Sequence, residues 1–222
     1  MKKQLLLLLV GLLALNSYSQ SSPNDSETDS IAIASAKADS IKMENAIKKR
    51  MEMFAKVAEI ATFPVIEAGT FSGVVPVEDV TEIPNPDLDY KLLFELVEFD
   101  DEDPAKVDAS LTEVARIINL HAASGIPVEK IFPVLVVHAG SLNAFTTNTF
   151  YNEKFKMDNP NLKLIGELED LGTKFISCGQ AMFFFEVDKE ALLPMFKVSL
   201  TAQTVMSSYQ MQGYVKYRIN TR

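Results

Sequence analysis

Hydrophobic residues recur along this chain at two different periods. In Lys91–Phe99 (KLLFELVEF) and Pro133–His138 (PVLVVH) they run almost unbroken, which predicts strands buried on both faces of a parallel sheet. Thr173–Ser177 and Tyr214–Ile219 predict two more strands. Between these segments the period is helical. Val107, Leu111, Val114, Ile118 and Ala122 mark one face of a helix that Gly125 ends. Asp103-Pro104 reads as its N-cap followed by proline in the first helical position. A helix-rich stretch follows from about Leu142 to Lys156, and Asn159-Pro160 breaks it. Further helices are expected over Asn161–Leu171, ending at Gly172, and over Thr201–Gln212, closed by Gly213. Lys189–Met195 predicts a short helix interrupted by Pro194. Strands alternating with helices imply an α/β fold: a mainly parallel sheet, right-handed crossovers and helices on both faces.

Ahead of this region, expected as a domain over 90–222, the texture differs. Residues 31–61 are rich in Ala, Lys, Glu, Met and Ile and lack Gly and Pro, which predicts a preceding N-terminal helix. Ile47, Met51, Phe54, Ala58 and Ala61 alternate steps of four and three within it. Two heptads are too few to establish a coiled-coil seam, and packing of the helix on its own domain is the simpler expectation. Residues 62–89 carry Pro64, Pro76, Pro84 and Pro86 and read as an extended connector, with one short strand near Gly73–Val77. Residues 20–30 (QSSPNDSETDS) read as a flexible linker. Residues 1–19 read as a signal peptide. Lys2 and Lys3 precede the apolar run Leu5–Leu15, and Ser17 and Ser19 offer the small residues that a signal peptidase reads. Cleavage is expected after Ser19, which makes the mature protein exported, periplasmic where the source has two membranes. No later stretch is long and apolar enough to anchor it.

Composition narrows the chemistry. The 222 residues carry 21 Lys and Arg against 30 Asp and Glu, a net charge of -9. That balance argues against nucleic acid and against anionic lipid as partners. One cysteine and two histidines leave no intrachain disulfide, no CxxC and little from which to build a zinc centre. No GxGxxG or GxxxxGK[ST] follows a strand, and no GxSxG is present. Neither a metal nor a cofactor is expected.

Ligands of open parallel sheets bind beyond the carboxyl ends of the strands. Three loops meet that description. Glu98–Asp103 holds five acids in six residues, and its simplest reading is a solvated loop whose last residue caps a helix. The second loop is His138-Ala139-Gly140-Ser141, with Asn143 beyond it, and the third is Cys178-Gly179-Gln180. The topology therefore brings the single cysteine and His138 to one edge of the sheet. A thiol at a strand end that turns through Gly179 into a helix lies near N–H groups that favour thiolate, and His138 favours it further. The competing reading makes Cys178 a small buried hydrophobe and His138 a cap on its strand. His121, inside the amphipathic helix, reads as structural.

The chain from about Tyr90 to Asn220 resembles the DsrE/DsrF-like family, in particular its exported single-domain members. The resemblance is carried by the strand Lys91–Phe99, by Val136-Val137-His138-Ala139 and by Asn159-Pro160-Asn161. Leu171-Gly172-Thr173 leading to Ile176-Ser177-Cys178-Gly179-Gln180, and Gln212-Gly213-Tyr214, carry it most strongly. It implies a compact α/β fold that assembles into a homo-oligomer, a trimer or hexamer. In the family's sulfur-relay members a cysteine at the place of Cys178 carries sulfur as a persulfide between donor and acceptor proteins. Exported members often show a His-Gly pair at His138; here Ala139 follows, and glycine comes at Gly140. The expected function is an exported sulfur carrier with Cys178 and His138 as reacting groups and Asn143, Gly179 and Gln180 lining the site. The alternative is a non-catalytic oligomeric protein that binds a small ligand or a partner.

Overall fold

A computed structural model describes residues 25–219, with side chains from residue 37 onward. The expected signal peptide 1–19, its cleavage after Ser19 and linker residues 20–24 lie outside the described residues. The chain divides into two compact units, one ending at Ala55 and one beginning at Lys56. Helix α1 is Asp25–Ile60, so residues 25–30 are helix where a linker was expected. The sequence accounts for this: no Gly or Pro occurs from Asn24 to Ile60, and Asp25, Glu27 and Asp29 put acids where the helix dipole favours them. In the first unit, Arg50 stacks its guanidinium 5.3 Å from the Phe54 ring centre. Among the described residues no helix is long and apolar enough to cross a membrane.

The second unit is built on a five-stranded, all-parallel sheet. Its strands are β1 (Tyr90–Leu96), β2 (Ile131–Val137), β3 (Lys174–Cys178), β4 (Lys197–Ser199) and β5 (Val215–Ile219), in the spatial order β4-β3-β2-β1-β5. Parallel strands cannot be joined by tight turns, so each needs a crossover. The helices are α2 (Ala109–Ala123), α3 (Asn148–Phe155), α4 (Leu162–Asp170), α5 (Gly179–Phe184) and α6 (Ala202–Met211). From β1 to β4 the chain steps in one direction across the sheet, and right-handed crossovers keep α2, α4 and α5 on one face. From β4 it must return past three strands to β5, which puts α6 on the opposite face, against β1 and β2. The α/β architecture with helices on both faces is as the hydrophobic pattern predicts.

Burial follows from that layering. Leu93, Phe94, Leu96 and Val134–Val137 in the two central strands are almost wholly inaccessible, as the unbroken apolar runs require. One face carries the aromatic core, with Phe94 stacked on Tyr217 and Phe145 meeting Phe175 and Phe196.

Several boundaries differ from the sequence expectation. The first strand stops at Leu96 rather than Phe99. Asp103 does not cap α2; it pairs with Lys106 in a turn ahead of the helix. Asp108 is the cap, its carboxylate accepting from the N–H groups of Ser110 and Leu111, and Asn161 Oδ1 accepts from the Asp108 N–H at 2.7 Å. Burial raises the Asp108 pKa despite those hydrogen bonds. β4 was not foreseen: three residues are too short to show a period. No strand forms at Gly73–Val77, where Val74 makes only an isolated antiparallel bridge to Thr62.

The connector 62–89 lies in the same compact unit as the sheet. Ile66 packs into the core, and one buried amide ties the segment to α2. Asn119 on α2 accepts through Oδ1 from the N–H groups of Val65 and Ile66, both at 3.0 Å. Its Nδ2 donates to the carbonyls of Ile66 at 2.7 Å and Ser72 at 2.8 Å. Four backbone groups that water would otherwise serve are thereby paired away from solvent. Asn119→Ala leaves them without that partner and is expected to lower folding stability by about 2–4 kcal/mol in urea denaturation. Hydrogen exchange at Val65 and Ile66 should accelerate beyond the global change; unaltered protection there would show that something other than Asn119 holds the connector.

Candidate functional site

Cys178 is the last residue of β3 and the first flanking residue of α5. Its position in the sheet is special. The connection after β3 leads to α5 on one face, while that after the neighbouring β4 leads to α6 on the other. Adjacent crossovers therefore part between β3 and β4, the location at which open α/β sheets form crevices. Here the crevice is tightly filled. Gln180 donates its N–H to the Leu200 carbonyl at 3.3 Å, and Ser199 Oγ donates to the Ser177 carbonyl at 3.0 Å. A Cβ on Gly179 would lie 2.9 Å from the Ser199 carbonyl oxygen, so glycine is what permits this approach. Cys178 is 4% exposed.

His138 follows β2 in extended conformation, its N–H donating to the Leu96 carbonyl at 3.1 Å and so prolonging the ladder. Val137 is in register with Ser177, and one further step sets His138 beside Cys178 on adjacent strands. Side chains alternate along strands. The face that carries Cys178 and His138 also carries Glu95 of β1 and Lys216 and Arg218 of β5, through the registers Glu95↔Val136, Leu93↔Lys216 and Glu95↔Arg218.

Three of these groups are joined. His138 Nε2 donates to Glu95 Oε1 at 3.1 Å, and Lys216 Nζ lies 2.9 Å from Glu95 Oε2. The Glu95 side chain is only 7% exposed, against 31% for Lys216. Burial raises the Glu95 pKa, but the hydrogen bonds and charges of Lys216 and His138 outweigh it. The carboxyl is thus held below its ordinary value of 4.5. Sequence reasoning did not identify Glu95 or Lys216 as site residues. The available signal was an acid with apolar residues on both sides, Glu95 within Leu92–Val97 (LLFELV), a residue type that stays buried only when paired.

The next residue, Ala139, has φ 53°. This left-handed conformation favours glycine, and Ala139 adopts it with a Cβ. It starts the tight turn Ala139–Phe145, fixed by Ser141 Oγ donating to the Leu96 and His138 carbonyls and packed against α5.

The other expected site residues are divided. Gly179 and exposed Gln180 adjoin Cys178. Asn143 does not open toward it. Its Nδ2 donates to the Gly140 carbonyl, its Oδ1 accepts from Lys154 Nζ at 2.8 Å, and it lines a separate cavity of about 330 Å³ with Phe150, Lys154, Phe155 and Phe185. The acidic run borders another cavity of about 330 Å³, together with Asp108. Tyr151 holds the segment after that run by donating its hydroxyl to the Pro104 carbonyl at 2.6 Å; burial, then the Asp108 charge, push its pKa up to about 12. Among the described residues no three His, Cys, Asp or Glu side chains gather as a metal set. His121 bonds the Ile117 carbonyl one turn back and meets Tyr90 and Tyr217 edge-on.

The Glu95 network implies a specific pH dependence. The folded pKa lies below the unfolded one, so its stabilisation is fully present above about pH 4.5 and is lost as pH falls through the folded value. Lys216→Met removes a partner of a buried carboxylate and should cost about 1–3 kcal/mol at pH 7, measured by urea denaturation. The cost should shrink below pH 4.5 as Glu95 takes up a proton. An equal cost at pH 7 and pH 4 would mean that the lysine stabilises by packing alone.

The chain matches no family profile and no curated protein. Among solved structures, a protein of unknown function from Methanobacterium thermoautotrophicum aligns with 21% identity and a TM-score of 0.43, over 59% of this chain and all of that one.

Proposed function

We propose that this protein is an exported, DsrE-like sulfur carrier in which Cys178 bears a persulfide. The observation that carries this reading is the placement of Cys178: it ends β3 where adjacent crossovers part, on the sheet face that it shares with His138. Loading requires the thiolate. It attacks the terminal sulfur of a donor persulfide RS–SH, a bond forms to Cys178 Sγ, and the donor's S–S bond breaks. The donor leaves as RS⁻ and takes up the proton that Cys178 gave to its base. The same exchange in reverse hands the outer sulfur to an acceptor thiolate, with no net oxidation. A thiol so nearly enclosed favours small reactants over bulky ones, which suits a carrier that must shield its persulfide from oxidants.

The test is intact mass of the non-reduced protein after incubation with polysulfide. Wild type should gain the mass of one sulfur atom, removable by reductant, and Cys178→Ser should not. Equal behaviour of the two proteins would refute the carrier reading.

A second reading has its own support. Phe183 and Phe184 on α5 are 79% and 74% exposed, and Phe185 and Leu200 are exposed as well. This aromatic surface favours an oligomeric or partner-binding role, and a homo-oligomer is compatible with either function. If copies associate there, the double variant Phe183→Ser/Phe184→Ser should sediment as a monomer while wild type sediments as a trimer or hexamer. A wild-type monomer at micromolar concentration would remove the oligomer from both readings.

A further inference from the structure

The cluster on the β1, β2 and β3 ends has an internal order that the carrier reading does not use. We infer that Glu95 is a positioning residue, which fixes His138 with Nδ1 as the proton acceptor for Cys178; this inference rests on the reading of Cys178 as a reactive thiol. Three observations carry it. His138 Nε2 is the nitrogen bonded to Glu95, at 3.1 Å, and a carboxylate can only accept, so Nε2 carries a proton and, in the neutral ring, Nδ1 keeps its lone pair. Register sets His138 next to Cys178 on the same face of neighbouring strands, which lie about 4.8 Å apart in such sheets. Glu95 is itself pinned from the other side by Lys216 at 2.9 Å, so the carboxylate is not free to follow the ring.

A nucleophile, a base and a third group that orients the base is the general arrangement for activating a thiol. Here the three come from three adjacent parallel strands, β3, β2 and β1. No hydrogen bond joins Cys178 and His138 among the described residues, and resting thiol–base contacts commonly tighten only when a reactant is present. The step is a proton transfer: the Sγ–H bond breaks, the Nδ1–H bond forms, and a thiolate–imidazolium pair results. Glu95 stabilises the imidazolium through its charge. Lys216 and Arg218 from β5 and Lys197 from β4 share the face and add positive charge, so the pair forms within a mixed field rather than an acidic one.

Alkylation by iodoacetamide isolates this step from sulfur chemistry. Thiolate displaces iodide, and the rate across pH reports how much thiolate is present. His138→Gln and Glu95→Gln are each expected to slow alkylation at pH 7 by about tenfold and to move the midpoint of the profile upward. The double variant should be no slower than His138→Gln alone, because Glu95 acts through the imidazole. A Glu95→Gln profile that coincides with wild type, or losses that multiply in the double variant, would overturn the inference.

Wild type supplies a measurement free of folding effects. Nitrogen-15 shifts of His138 should show a protonated Nε2 and an unprotonated Nδ1, and the opposite tautomer would likewise overturn the assignment. A protein that alkylates as expected but takes up no sulfane sulfur would refute the carrier function and leave the Glu95 assignment standing. Uptake of sulfur that is indifferent to Glu95 and His138 would do the reverse.

Discussion

The parallel pairing of β1 with β2, in register from Tyr90↔Ile131 to Leu96↔Val137, is the constraint from which the remainder follows. Two parallel strands have no hairpin solution, so the chain must leave the sheet and return, and handedness decides on which side it does so. Stepping outward from β1 to β4 commits three crossovers to one face. The return to β5 commits α6 to the other. Among the described residues α6 is the crossover helix on that second face, and the polar residues that the sheet tolerates collect there: Glu95, His138, Lys216 and Arg218, beside Cys178.

Those polar groups are held to a stricter rule than the apolar ones. A buried leucine accepts many neighbours, whereas a buried carboxylate or amide must find specific partners. Glu95 satisfies the rule with the His138 imidazole and the Lys216 ammonium, one from each neighbouring strand. Asn119 satisfies it by serving four backbone groups of the connector. Asn159 and Asn161 do the same for the loop after α3: Asn159 Nδ2 donates to the carbonyls of Ala144 and Thr146, and Asn161 Nδ2 donates to Asn159 Oδ1. These amides join segments apart in sequence, and Asn159 holds the Ala144–Thr146 end of the turn that follows His138.

Burial shapes the chemistry of Cys178 in two opposed ways. An enclosed thiol is shielded from oxidants, but it loses the solvation that a thiolate needs. A neighbouring base oriented by a carboxylate replaces part of that solvation by fixed charge. Gly179, which lets the Ser199–Leu200 backbone approach, and Ala139, held in a left-handed turn, show how closely the loops around the thiol and the imidazole are fitted.

Much of the layout was legible in the residues themselves. Unbroken apolar runs mark β1 and β2 because strands covered on both faces have no polar side to show. Turn residues such as Gly125 and Gly213, at φ 90° and 87°, mark helix ends because the reversal there needs a left-handed residue. Strand order along the chain already placed Cys178 and His138 at one edge. What the sequence could not show was pairing across distance. Whether Asp103 or Asp108 capped α2 depended on Lys106 and on Asn161, the latter more than fifty residues away. Whether Glu95 was a solvated acid or the centre of a charge network depended on β5 arriving beside β1. Asn143 was assigned to the cysteine by its place in the loop, yet its side chain turned to Lys154. Periodicity reports which face of an element is buried, a local property. Partners of polar groups are set by which strands become neighbours, and only the tertiary structure decides that.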